Sequence, residues 1–280
     1  MRRRRFIKAV SAAGLSVALP ACGRDTAGKS ASLPSRISAV RGDGNPREIE
    51  TAAVAELAES MSGTLYLPAD SGYDAARTVW NGMIDKRPAM VASCTSVDDV
   101  RNCVTFARER ELLLAVKCGG HSYPGKSTCD NGMMIDLSPM HAVAIDADAR
   151  TATVQGGALL GHLDTASLAR GLVTTAGIVS HTGVGGFTLG GGMGRLDRKF
   201  GLAIDNLLSA TVVTADGQLL HASDDENPDL FWALRGGGGN FGVVTEFVYR
   251  VHPFDDNVYA GNLQYPIEQA RDMMTVFAEL

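Results

Sequence analysis

The 280-residue chain is 45% hydrophobic and 20% charged with a formal charge of −5, which excludes a disordered protein and gives no electrostatic reason to expect a nucleic-acid partner. Its length allows one or two domains with a sizeable core. Thirty-two glycines exceed the usual share of about 7%, and many are clustered, which points to a site more than to scattered turns.

Residues 1–22 read as an address. Arg3-Arg4-Arg5-Phe6-Ile7-Lys8 is basic, and the mildly apolar run 9–19 that follows is too short to span a bilayer comfortably, as in an export signal. The paired arginines before Phe6 resemble a twin-arginine signal, whose route carries folded proteins and suits enzymes that take up a cofactor before export. Leu19-Pro20-Ala21-Cys22 is similar to a bacterial lipoprotein cleavage site, with Pro20 an unusual residue there. The expectation is an exported protein, periplasmic or extracellular, attached to a membrane only through a lipidated Cys22. Residues 23–62 are polar and carry Gly23, Gly28, Pro34, Gly42, Gly44 and Pro46, with one short helical pattern over 48–61; they read as a polar tether.

The folded domain is expected over 63–255, beginning near Thr64-Leu65-Tyr66-Leu67-Pro68. Thr95 or Ser96 can cap a helix in which Val97, Val100, Val104 and Ala107 recur at helical spacing. A strand over 112–116 follows, then short strands over 133–137, 141–145 and 151–154, and a helix over 157–169 closed by Gly171. Residues 207–215 and 218–222 flank Asp216-Gly217, a hairpin signal. Asn227-Pro228 caps and starts a helix through Leu230, Phe231 and Leu234, and a strand over 243–249 comes next. This order is α+β, without the regular alternation of a doubly wound sheet.

Three glycine blocks carry the chemistry. In the first, an apolar strand runs through Val116-Lys117-Cys118 into Gly119-Gly120-His121-Ser122. Glycine lets the main chain approach a diphosphate with its N–H groups, and the histidine beside it then faces the bound nucleotide. The second, Gly183-Val184-Gly185-Gly186-Phe187-Thr188-Leu189-Gly190-Gly191-Gly192-Met193-Gly194, is poor helix chemistry at roughly 1 kcal/mol per glycine, and a ligand lying against the backbone would justify it. The third contains a formal G-x-G-x-x-G at Gly237, Gly239 and Gly242, but a helix precedes it and a strand follows, the reverse of the dinucleotide motif. Cys94, Cys103, Cys118 and Cys129 lack the spacings of a zinc site, so no metal is implied, and in an exported protein they allow up to two disulfides in three pairings. Cys118 reads as a small buried filler.

Arg87-Pro88-Ala89, the 116–122 loop, Gly177-Ile178-Val179-Ser180-His181-Thr182-Gly183-Val184-Gly185-Gly186, Gly201-Leu202-Ala203-Ile204-Asp205-Asn206 and the run 235–246 occur in an order and spacing that resemble the FAD-linked oxidases of the berberine-bridge-enzyme type, in the vanillyl-alcohol-oxidase (PCMH) superfamily. The resemblance covers roughly 66–253 and implies a two-lobed α+β PCMH-type FAD-binding domain. It implies FAD held by Lys117, Cys118, Gly119, Gly120, His121 and Ser122, by Thr182, Gly183, Gly185, Gly186, Gly190, Gly192 and Gly194, and by Asn240, Gly242, Val243 and Val244. It further implies a covalent bond from His121 to the benzenoid methyl group of the flavin. Val179 stands where some members place a second, cysteine tether, so a single bond is expected; His181 need only line the cleft, and Thr182 falls where members influence oxygen access. His141, His162, His221 and His252 read as structural.

Residues 258–265 read as a strand and 266–280 as a helix, the opening of the family's substrate-binding domain, so residues 256–280 are expected to be the start of a truncated substrate domain. The family's catalytic base comes from parts beyond these residues, and no catalytic residue is assigned. Two function classes result. The first is an FAD-dependent oxidoreductase, an oxidase passing a hydride from a carbon bearing OH or N of a small molecule to flavin and then electrons to oxygen. The second is a truncated, noncatalytic flavin-binding fragment.

Overall fold

The structure, a computed structural model, describes residues 35–254 and 261–279. The expected export leader and Cys22 lie outside the described residues. Residues 36–61, expected within a tether, are folded. β1 (Arg36–Val40) and β2 (Pro46–Glu50) form an antiparallel hairpin, and α1 (Thr51–Ser60) follows directly. Ala39, Ile49, Val54, Leu57 and Met61 enter the main core. Short strands that bury only every second residue look polar on average, which is why composition conceals them.

The first lobe continues with β3 (Thr64–Tyr66), α2 (Tyr73–Arg77), β4 (Met90–Ser93), α3 (Val97–Glu109), β5 (Leu114–Lys117) and β6 (Met133–Asp136). The sheet order is β3-β4-β6-β5, with β4, β6 and β5 parallel and β3 antiparallel at the edge. The two central strands read as unbroken apolar runs because both faces are covered. Val91 and Met134 pack under Tyr73 on one face. Met90, Ala92, Met133 and Ile135 meet Val54, Leu57, Val100, Cys103 and Val104 of α1 and α3 on the other. Ser96 caps α3 as expected, and Asp99 returns the bond in a capping box. The buried Asp99 carboxylate also accepts the backbone N–H groups of Ser62 (2.7 Å) and Thr95 (2.8 Å), tying the helix start to the entry of β3.

The second lobe contains β7 (Val143–Asp146), β8 (Thr151–Gln155), α4 (Leu160–Leu168), β9 (Leu172–Val173), α5 (Val184–Leu189), α6 (Asp197–Phe200), β10 (Leu207–Val213), β11 (Leu219–Ser223), α7 (Pro228–Leu234), β12 (Val243–Arg250) and β13 (His252–Pro253). Five strands form an antiparallel sheet in the order β11-β10-β12-β8-β7. Its core joins Ala152, Val154, Val212, Phe247 and Tyr249 to Leu160, Leu163, Val184, Phe231 and Leu234 of α4, α5 and α7. The lobes are tied through α3, where the Arg101 Nε–H donates to the Gly217 carbonyl in the β10–β11 turn (3.3 Å) and Arg108 donates to that of Asp216 (2.5 Å).

Three local expectations change. The second glycine block does contain a helix, α5, because Val184 and Leu189 bury on the second core and tertiary packing outweighs glycine's propensity. Asn227 does not cap α7 with its side chain; it sits at φ 50° and its Nδ2 donates to the His221 carbonyl (2.7 Å). Residues 261–265, expected to end a strand, are irregular, with Leu263 and Tyr265 exposed and no strand pairing with them among the described residues. Residues 255–260 lie outside the described residues. A short 3-10 turn then leads into α8 (Ala270–Glu279), where the expected helix lies.

Candidate cofactor-binding site

The site begins where β5 ends. Lys117 turns inward, with its Nζ 2.6 Å from the Ala76 carbonyl and 3.5 Å from Asp136 Oδ2 on β6, and both charged side chains are buried. Asp136 also accepts the Ser138 N–H (3.0 Å). This buried pair pins α2, β5 and β6 together as the floor of a cleft. The chain then reverses through Gly119 and Gly120, the latter at φ +68°, where an L side chain would be strained.

Across from this loop lies the start of α5. A Cβ on Gly119 would stand 2.3 Å from the Gly183 nitrogen, and one on Gly183 would stand 2.3 Å from the Gly119 nitrogen and 2.4 Å from Cys118 Sγ. The two glycine blocks therefore meet backbone to backbone, and neither position has room for a side chain. The Cys118 thiol is pushed up to about 11 by burial, which makes it an inert filler.

His121 stands at the mouth of this seam. Its Nε2 lies 2.6 Å from Nδ1 of His181. Trp80 stacks on the same ring, with centroids 4.9 Å apart and planes 15° apart, and the backbone N–H of Trp80 donates to the Gly120 carbonyl (3.1 Å). Burial first, and the neighbouring His181 second, lower the pKa of His121 below the ordinary imidazole value. The cleft is about 400 Å³, within the range of about 300–1,000 Å³ common for small-molecule sites. Lys117, His121, His162 and His181 line it beside Val79, Trp80 and Leu159, and no carboxylate among the described residues lines it. Imidazoles and glycine backbone beside flat and apolar surface fit an anionic nucleotide that carries a planar ring.

Residues 88–223 match the family model described as an FAD binding domain. The fold aligns with Physcomitrella patens BBE-like 1 at a TM-score of 0.66 and 32% identity, over 71% of this chain and 44% of that one. The chain carries a PCMH-type FAD-binding domain. It is similar to the FAD-linked oxidoreductase pgmH of Aspergillus terreus, at 41% identity over 88% of this chain and 50% of the relative. It is also similar to the crystal structure of 6-hydroxy-D-nicotine oxidase from Arthrobacter nicotinovorans, with a TM-score of 0.68 and 41% identity over 69% of this chain and 43% of that one. The chain spans about half the length of the curated relatives it matches.

Within this FAD-binding domain, Lys117, Cys118, Gly119 and His121 line the cleft together. Gly183 and Gly185 back onto Cys118 from α5, whereas Gly186 faces open space. Ser122 Oγ accepts the Lys126 N–H (3.0 Å) and shapes the turn, and the Thr182 carbonyl accepts the Leu160 N–H (2.8 Å). The remaining expected residues do not line the cleft. Gly190 ends α5, Gly192 is wedged against Ala203 and Phe187, and Gly194 packs on the Ala176 carbonyl. Asn240 is exposed and donates to the Gly237 carbonyl (2.8 Å), and Gly242, at φ +141°, abuts the Val213 carbonyl. Val243 belongs to the first core and Val244 to the second.

His162, expected to be structural, lines the cleft, with His141 tilted against it at 5.2 Å. Trp80 was not among the expected site residues; it is 57% exposed in a polar loop, and only its neighbour in space, His121, reveals its place. Among the described residues, Cys94, Cys103, Cys118 and Cys129 are free thiols.

Proposed function

We propose that the protein is an FAD-dependent oxidoreductase with FAD bonded covalently to His121. The observation that supports this best is the seam between Gly119 and Gly183, which presents a half-buried imidazole to the cleft. When bound, FAD supplies a two-electron acceptor, for a hydride from a carbon bearing OH or N of a small molecule, with oxygen as the final acceptor. The Lys117–Asp136 pair fixes the end of β5, the paired glycines would let main-chain N–H groups hold the nucleotide, and Trp80 keeps the His121 ring in place by stacking on it. A relative named 6-hydroxy-D-nicotine oxidase supports carbon bearing nitrogen as one substrate class and oxygen as acceptor. The test is acid precipitation of the full chain expressed with FAD. Yellow colour should stay with wild-type protein and leave with His121→Ala, and a colourless, correctly folded wild type overturns the proposal.

The basic leader and Cys22 support export and lipid attachment. Cell fractionation should find the Arg4→Lys, Arg5→Lys double variant retained inside, and Cys22→Ser should release the protein from membranes.

A further inference from the structure

We infer that residues 79–86 form a strap that holds the histidine loop, residues 119–128, in the shape that receives FAD, with Asn81 and Lys86 as positioning residues, a role that rests on the FAD site proposed above. The hydrogen bonds between the two segments all run one way. The Trp80 backbone N–H donates to the Gly120 carbonyl (3.1 Å), Asn81 Nδ2 to that of Tyr123 (2.9 Å), and Lys86 Nζ to those of Gly125 (3.1 Å) and Thr128 (3.5 Å). The strap supplies only donors, and the loop only acceptors.

That polarity decides where the amides of the loop face. In a trans peptide the N–H and C=O point to opposite sides, and no peptide bond among the described residues is cis. With the Gly120 and Gly125 carbonyls turned to the strap, the N–H groups of His121 and Lys126 turn away from it. The Lys126 N–H accordingly donates to Ser122 Oγ (3.0 Å), within the loop. The His121 N–H has no acceptor among the described residues, which leaves it free for an anion.

The Tyr123–Pro124 peptide carries no N–H, so among the described residues the Asn81 bond is the one hydrogen bond that orients it. Asn81 is itself pinned, because its Oδ1 accepts the Met83 N–H (3.1 Å) and its Nδ2 is thereby aimed at the loop. The loop needs the support. It contains Gly119, Gly120 and Gly125, the last two at φ +68° and +71°, and glycine-rich chain is costly to order. The same glycines let the strap lie close, since a Cβ on Gly125 would stand 2.8 Å from the Ile84 side chain and one on Gly120 3.4 Å from Val79 Cα.

The experiment follows FAD uptake by full-length apoprotein in stopped-flow flavin fluorescence. Asn81→Ala and Lys86→Met should each slow association roughly 10-fold, because an unheld loop must order before it binds. In a His121→Ala background, where binding stays reversible, the same changes should alter dissociation less than about 2-fold. Lys86→Arg, whose guanidinium can donate to the same carbonyls, should come back to within about 2-fold of wild type. Asn81→Asp keeps the acceptor for Met83 but sets an oxygen against the Tyr123 carbonyl, and should be at least as slow as Asn81→Ala. Met83→Ala, in the same strap but 89% exposed, should behave as wild type. Wild-type association in Asn81→Ala or in Lys86→Met, or Lys86→Arg as slow as Lys86→Met, overturns the inference and leaves the FAD site intact, whereas a wild type that takes up no FAD removes both. Hydrogen exchange on unmutated apoprotein reads the loop directly: the Lys126 amide should be protected, and exchange at the rate of an open chain overturns the assigned shape.

Discussion

The two sheets reach the cleft by different routes. In the first lobe the parallel strand β5 ends at the site, and its last residue, Lys117, is locked into the sheet by Asp136 on the neighbouring strand. Ligands of parallel sheets gather at the carboxyl ends of strands for this reason, since backbone groups leave the ladder there together. The antiparallel sheet meets the glycine seam only past the end of β8, where the Val184 N–H donates to the Ala158 carbonyl (2.9 Å). It contributes α5, held from behind by a buried hydrogen bond between Thr188 Oγ1 and Tyr249 Oη on β12 (2.7 Å). One lobe supplies a rigid base, and the other closes on it through residues without side chains.

That contrast can be broken piece by piece. Lys117→Met should cost most, about 4 kcal/mol in urea unfolding, because it leaves the Asp136 carboxylate buried and unpaired. A loss under about 1 kcal/mol would mean the pair is not an anchor. Gly183→Ala should cost about 3 kcal/mol by overpacking the seam, while Gly186→Ala, three residues along the same helix, should stay within about 0.5 kcal/mol. Equal effects at the two positions would erase the distinction between seam and free face.

Asp99→Ala should cost about 2 kcal/mol through the lost return arm of the capping box and the orphaned N–H groups of Ser62, Thr95 and Ser96. Burial pulls the Asp99 carboxyl upward, but hydrogen bonds from Thr95, Ser62 and Ser96 outweigh it and hold the group below the ordinary carboxylate range. Its folded pKa is thus depressed. The stability it confers is complete above the unfolded value near about 3.9 and is lost as pH falls through the folded value. Wild type and Asp99→Ala should therefore converge in stability below that window, which acid titration by circular dichroism can check. Tyr249→Phe should cost least, about 1 kcal/mol, for one buried hydroxyl bond.

Where local chemistry decides, the fold was legible. Ser96 as the α3 cap, Asp216-Gly217 as the β10–β11 turn and the apolar run of β6 all follow from rules acting within a few residues. The placing of His121 beside a glycine pair was visible in the same way. What stayed hidden depends on distant partners. The α5 helix forms because Val184 and Leu189 find a core, and the site roles of Trp80 and His162 exist only because segments far apart in the chain converge on the cleft. The berberine-bridge-type motif order supplied the cofactor, but no motif announces a stacked tryptophan or an imidazole pair.

The β1–β2 hairpin has a consequence for how the protein can be shortened. β5 lies at the margin of its sheet, and the hairpin clasps the margin of residues 111–113 that lead into it: the Leu113 N–H donates to the Val40 carbonyl (3.0 Å), the Gly42 N–H to the Glu111 carbonyl (3.0 Å), and Arg41 bridges Leu112. A chain begun at Thr64 would bare that margin directly upstream of the histidine loop and invite strand-to-strand self-association. Trimming after Cys22 keeps the clasp. The hairpin thus acts as a guard rail for the entry to the strand that delivers His121.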